Sequence, residues 1–298
     1  MLFDASVELG ESVHRRFSDY KFMQKISEDY ASLRDLGKDQ LRKAIRTAQY
    51  QGHTAGLAAG FLQANIIILP EKYALNFMRY CQRNPKPCPL VGVSETGSPF
   101  MRTLGRDIDI RSDVPRYNIY RSGELSETAV DIFDYWADDF VAFALGCSFT
   151  FEDALVKAGI AIWHIENNKT VPMYRSNIVT SEAGPFGGEM VVTLRAIDAN
   201  RVDEAIEISR RYPMAHGGPV HFGDPSIIGL YDLSKPDWGD SPAPVGDKIP
   251  VFWACGVTPQ NAIMRAQLPI MISHTPGHML ITDIDDQAEV PVVFSESA

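Results

Sequence analysis

The sequence predicts an α/β protein: a three-layer α/β/α sandwich on a mixed, partly parallel sheet, with an internal strand-turn-helix repeat and a smaller two-layer α+β subdomain. Three observations carry this. Apolar, strand-like runs alternate with segments of helical period along the chain. Residues 141–158 recur in altered form at 251–266. Of the 298 residues, 45% are hydrophobic, enough for a sizeable core.

The repeat organises the rest. Its first copy runs Val141-Ala-Phe-Ala-Leu-Gly-Cys-Ser148 and on to Glu152-Asp-Ala-Leu-Val-Lys-Ala158; its second runs Val251-Phe-Trp-Ala-Cys-Gly-Val-Thr258 and on to Gln260-Asn-Ala-Ile-Met-Arg-Ala266. Each reads as a buried strand, a glycine turn, a hydroxyl residue and a helix. With a two-residue gap, Gly146 falls on Gly256 and Ser148 on Thr258, while Cys147 and Cys255 fall out of register. A helix entered from a strand end points its free N–H groups beyond that strand, where an anion binds. Two such turns predict two anion-receptive ends.

From the N-terminus, residues 20–50 show helical spacing of Leu33, Leu36, Leu41, Ala44 and Ile45 among charges. The small-residue stretch 52–60 permits close backbone approach, to a packed element or to a ligand. It leads into a strand at 63–69 and a helix over 72–81. Arg83-Asn-Pro-Lys-Pro-Cys-Pro89 sets two cations and an amide on a backbone stiffened by three prolines, suited to holding an anion or to serving as a solvated connector. A short strand at 90–93 and an edge-like strand at 107–111 follow, then a helix over 131–139 and the first repeat unit. The segment 190–196 is a strand and 200–211 a helix with Asn200 as N-cap. The loop His216-Gly-Gly-Pro-Val-His-Phe-Gly-Asp-Pro225 is the most chemically dense of the chain. A connection rich in proline, aspartate and glycine over 232–248 precedes the second repeat unit and the final strands. The expected division is a discontinuous main domain, 1–125 with 236–298, and a second subdomain, 126–235, that includes the 141–158 unit.

Composition excludes several roles. With 28 basic and 38 acidic residues the net charge is −10, which argues against a nucleic-acid partner. No apolar run approaches the roughly 18 residues of a membrane span. Four cysteines without CxxC spacing read as reduced thiols, and no basic leader with an apolar segment opens the chain, so a cytoplasmic location is expected. There is no GxGxxG after a strand, no Walker loop and no Gly-x-Ser-x-Gly elbow. Whether copies associate as a homo-oligomer is open.

Four of the seven histidines, His216, His221, His274 and His278, stand in Gly/Pro-bounded loops, where an imidazole can act as acid or base or can simply satisfy a turn. No cofactor is expected; the alternative is a divalent metal on His216, His221 and Asp224. Cys147 precedes a helix N-terminus, where the dipole lowers a thiol's pKa, and is equally a structural cysteine. Ser148 and Thr258 are either symmetric ligand contacts or plain N-caps.

These blocks, together with Gln63-Ala-Asn65, Gly146-Cys-Ser-Phe-Thr-Phe-Glu152, Val171-Pro-Met-Tyr-Arg175, Pro219-Val-His-Phe-Gly-Asp-Pro225 and His274-Thr-Pro-Gly-His-Met-Leu280, resemble the D-glutamate cyclase family, whose bacterial members carry a hydro-lyase name. The resemblance covers about residues 40 to 285, departing at His53 and Ala59, where prolines are expected. It implies a lyase that dehydrates D-glutamate to 5-oxo-D-proline, with a small carboxylate substrate. The alternatives are a hydro-lyase for another small dicarboxylate and a non-catalytic carboxylate-binding subunit. One carboxylate is expected at Gly146, Cys147 and Ser148 and the other at Gly256, Val257 and Thr258. His216, His221 and His274 supply base and acid, and Arg83, Asn84, Lys86 and Arg175 hold or offset charge.

Overall fold

The structure, a computed structural model, describes residues 30–292. It is α/β, built on two sheets. Two short helices, α1 (Tyr30–Leu33) and α2 (Lys38–Arg46), lead to strand β1 (Phe61–Pro70), helix α3 (Glu71–Arg83) and β2 (Leu90–Val93). The hairpin β3 (Tyr117–Arg121) and β4 (Glu124–Ala129) precedes β5 (Phe140–Gly146), α4 (Phe149–Lys157) and the one-turn α5 (Trp163–Glu166). Then come β6 (Met173–Val179), β7 (Glu189–Ile197), α6 (Val202–Arg210), β8 (His221–Phe222), β9 (Ile249–Ala254), α7 (Val257–Ala266), β10 (Met271–His274) and β11 (Leu280–Asp285).

The larger sheet runs β2-β5-β1-β10-β3-β4, with β11 also on β1; the smaller runs β6-β7-β9-β8. Strand β1 is uninterrupted and buried over nearly its whole length, as expected of a β-branched apolar run at a sheet centre. Its even residues Leu62, Ala64, Ile66 and Ile68 pack with Leu104, Ile110 and Ile119, while Ile67 and Leu69 on the other face meet Phe77 and Tyr80 of α3 and Ile263 of α7. In the smaller sheet, Val251 and Trp253 of β9 receive Phe151 and Leu155 of α4 and Val202 and Ala205 of α6.

The strands of each repeat unit therefore lie in one sheet while their helices pack on the other. This explains a departure from the mixed sheet that the alternation suggests. Every ladder among the described residues is antiparallel. A parallel neighbour requires a helix that folds back on its own sheet, and α4 and α7 instead cross to the opposite one. The sheets also divide the chain differently from the expected 126–235 segment: β5 lies inside the larger sheet and β9 inside the smaller.

The repeat is deeper than two turns. The order β11-β1-β5-β2 of the larger sheet matches β6-β7-β9-β8 of the smaller. Registers match as well: Ala64 opposes Gly146 as Val192 opposes Ala254, and Ile67 opposes Phe143 as Arg195 opposes Val251. The equivalence corrects the gapped alignment. Cys147 N–H donates to the Gln63 carbonyl at 2.9 Å and Cys255 N–H to the Val191 carbonyl at 3.0 Å. Thr150 Oγ1 accepts the Gln63 N–H and Thr258 Oγ1 the Val191 N–H. The thiols are thus the equivalent pair, Thr258 answers Thr150, and Ser148 answers Gly256. Matching glycine to glycine inserted a gap that the shared backbone bonding does not allow.

Candidate active site

Three segments bring charge into the core beside the first turn. Helix α4 starts directly beyond β5, and Glu152 lies in its first turn, where the helix dipole favours a carboxylate. Strand β7 alternates Val191, Thr193 and Arg195 on one face, all buried, so its arginine points inward. The turn α5 carries His164, also buried.

Arg195 sits between the rings of Phe151 and Trp253, at 5.2 and 5.3 Å from their centroids. Its Nε and Nη2 donate to Glu152 Oε1, Nη2 also to Ser148 Oγ at 3.1 Å, and Nη1 to Thr193 Oγ1 at 2.9 Å. Of the five guanidinium N–H groups, one on Nη1 remains unclaimed among the described residues. His164 Nε2 is 2.8 Å from the same Glu152 Oε1. Burial works to raise the Glu152 carboxyl, but His164 and Arg195 more than offset it, leaving it below the usual carboxylate range. Glu152 Oε2, fully enclosed, has no partner among the described residues.

Arg195 and His164 form part of the wall of a cavity of about 150 Å³, lined also by Trp163, Pro172, Pro242 and Lys248. A cavity of roughly this size accepts a benzene-sized guest. The arrangement offers an imidazole oriented by a carboxylate, beside a guanidinium with one donor to spare, which is the geometry of a positioned base next to an anion.

Sequence reasoning did not single out Glu152, His164 or Arg195 as a site. A signal was present for Arg195, whose place in the alternation of residues 190–196 puts a cation on the buried face. The duplication shows how local the cluster is: Gln260 stands where Glu152 does and Ile67 where Arg195 does. Only the first turn carries charge.

Most of the residues expected to act lie elsewhere. Ser148 does reach the cluster, through Arg195. Cys147 and Cys255 are buried, and burial pushes both thiols up, Cys255 to about 11, so the expected dipole-lowered thiol does not form at Cys147. They pack in one apolar cluster with Phe149, Val257, Met173 and Met279, pairs contributed by the two copies. Gly146 lies under the Met214 carbonyl and Gly256 against the Asn65 amide. Val257 is buried in the same cluster, and the Thr258 hydroxyl is committed to Val191.

His274 is fully buried with Nδ1 against Ile66 and Gln260, and burial lowers it to about 4. His216, in the left-handed region at φ 76°, is likewise lowered by burial to about 4; its Nδ1 donates to the Lys86 carbonyl at 2.8 Å, and its buried Nε2 has no partner among the described residues. His221 lies on β8 with Nε2 bonded to the Asp224 carbonyl at 2.7 Å. Among the described residues no three His, Cys, Asp or Glu side chains are grouped as metal ligands, His216, His221 and Asp224 included. Asn84 is locked to Tyr80 and Ser181, and Arg83 donates to the Glu182 carbonyl at 2.6 Å. Arg175 pairs with Asp237 at 3.2 Å over the Trp238 ring. Lys86 lines a separate groove.

A protein of Dinoroseobacter shibae named "Putative hydro-lyase" is 64% identical over 265 residues, covering 89% of this chain and 88% of its own. A like-named protein of Ruegeria pomeroyi is 62% identical over 268 residues, covering 90% and 98%. The D-glutamate cyclase profile matches residues 141–283.

The chain belongs to the D-glutamate cyclase family.

The stretch matched by the family profile contains Glu152, His164 and Arg195, and both copies of the turn, whereas the Arg83 to Pro89 loop precedes it. A solved nitrogen repressor-like protein from Methanococcus jannaschii, 10% identical, aligns over 79% of this chain and 91% of its own with a TM-score of 0.35, a distance at which it says nothing of function. No helix among the described residues is long and apolar enough to cross a membrane.

Proposed function

We propose that this protein is a hydro-lyase that closes D-glutamate to 5-oxo-D-proline in the cavity walled by His164 and Arg195. The observation that carries the reading is the Glu152–His164 pair at 2.8 Å beside an arginine with one unclaimed donor.

The chemistry needs a base for the ammonium group, a donor for the charge that develops on the side-chain carboxylate, and a proton source for the departing oxygen. Glu152 holds His164 by Nε2, which leaves Nδ1 as the nitrogen to take a proton. It takes one proton from the ammonium. The amine nitrogen then attacks the side-chain carboxyl carbon, forming the C–N bond. The tetrahedral adduct carries negative oxygen, which Arg195 Nη1 stabilises. One proton passes from the new N–H₂ centre and one returns from His164 to the same oxygen, which leaves as water. The amine loses two protons, one oxygen gains two, and no electron carrier is involved. Glu152 is a positioning residue, and the small cavity favours a compact acid.

The test is incubation of the purified protein with D-glutamate, with chiral chromatography for 5-oxo-D-proline. The expected result is turnover by the native chain and its loss in His164→Gln. Absence of product from the native chain, dehydration of a different dicarboxylate in its place, or full activity in the variant sinks the reading.

A further inference from the structure

The two chemically dense loops of the sequence meet away from the cavity described above. Lys86, from the proline-stiffened loop, and Gly218, Pro219 and His221, from the second, line an open groove of about 390 Å³ with Arg210 of α6 and Phe222. It shares no lining residue with the Arg195 cavity.

No acidic side chain lines this groove, in a chain whose net charge is −10. Lys86 is half-buried and has no ion-pair partner among the described residues. Among the described residues Arg210 pairs only with Glu207, at 3.8 Å, an exposed contact within its own helix. Two cations facing one concavity repel each other, an arrangement that an anion relieves. The placement is also built. A Cβ at Gly218 would lie 2.9 Å from Arg210 Cγ, so glycine lets the arginine stem cross the loop. The Lys86 carbonyl is held by buried His216. Burial and the nearby Arg210 charge lower the Lys86 ammonium, which places the two cations within electrostatic reach of each other.

We infer that the Lys86–Arg210 groove is a second binding site, for a small oxyanion carrying two negative charges, a phosphate group or a dicarboxylate.

Calorimetric titration of the full chain with inorganic phosphate and, separately, with succinate tests this. One of them is expected to bind with a stoichiometry of one, and Lys86→Met/Arg210→Met to weaken it at least tenfold. Tighter phosphate assigns the site to phosphorylated ligands, and tighter succinate to carboxylates. Arg210→Met alone, at an exposed helix position, is expected to weaken binding about threefold or more, and it covers the case in which the double variant fails to fold. No binding of either anion to the native chain, or native affinity in the folded variants, overturns the inference. The second outcome would place the anion in the Arg195 cavity instead.

Discussion

Cys147 and Cys255 occupy the same point of two copies of one supersecondary unit, each N–H bonded to the carbonyl of the neighbouring strand, Gln63 for one and Val191 for the other. They meet in a shared apolar cluster where the two sheets join. Burial raises both thiols, which disfavours the nucleophilic thiolate at neutral pH. The native protein should therefore resist iodoacetamide at pH 8 at both positions, with adducts appearing only after denaturation, as read by intact-mass spectrometry. Cys147→Ala should leave turnover within about a factor of two. Rapid native alkylation of Cys147 would restore it as a dipole-lowered, reactive thiol.

The turns that carry these cysteines are closed by steric fit. A Cβ at Gly256 would run into the Asn65 side-chain amide, which is held by the Leu145 and Gly146 carbonyls. Gly256→Ala should cost about 2–4 kcal/mol. Asn65→Ala in the same chain should recover part of the loss, a coupling that a double-mutant cycle by urea unfolding measures. Gly146→Ala has no such rescue, because its obstacle is the Met214 backbone carbonyl. Strict additivity at Gly256 and Asn65 would contradict the packing described.

The Glu152 cluster separates stability from chemistry. Glu152→Gln leaves the buried Arg195 charge without its counter-ion, an expected loss of about 3 kcal/mol or more. His164→Gln keeps that ion pair, so its melting temperature should stay close to native while kcat on D-glutamate falls by roughly 10²–10⁴. A His164 variant as destabilised as the Glu152 variant would assign the imidazole to the core alone.

His274, His216 and His278 are each lowered to about 4, principally by burial. The unfolded chain takes up protons near pH 6.5, whereas the folded one does so only near 4. Stability from these neutral rings is complete above pH 6.5 and is lost as pH falls toward 4, by an amount on the order of 3 kcal/mol each. The urea midpoint should thus fall steeply over that window. Replacing His274 by Gln should flatten the slope, even if it lowers the midpoint at pH 7. An unchanged slope would mean that His274 is charged in the folded protein.

The ring of His274 also shows what patterning could not reveal. Strands β10 and β11 lie along the same edge of β1, separated by the excursion Thr275 to Met279, and in the gap the imidazole takes the Ile66 N–H at 3.1 Å. From the sequence His274 stands in a Gly/Pro-bounded loop, a candidate for acid or base. Only the broken ladder, with a backbone donor to satisfy, makes it a structural acceptor. In the same way Asn84 resembled a ligand group until its amide met the carbonyls of Tyr80 and Ser181. Polar side chains beside prolines and glycines look alike whether they bind a substrate or close a turn.

The sequence by itself determined the α/β class, the central apolar strand, the duplicated strand-turn-helix unit and the family, because these rest on local period, local propensity and contiguous motifs. Tertiary structure alone decided that the helices of the repeat exchange sheets, that every ladder among the described residues runs antiparallel, that the thiols and not Ser148 and Thr258 are equivalent, and that Glu152, His164 and Arg195 converge. The reason is physical. A charged side chain enters a core only where partners from distant segments neutralise it together, and no period along one segment records which partners those will be.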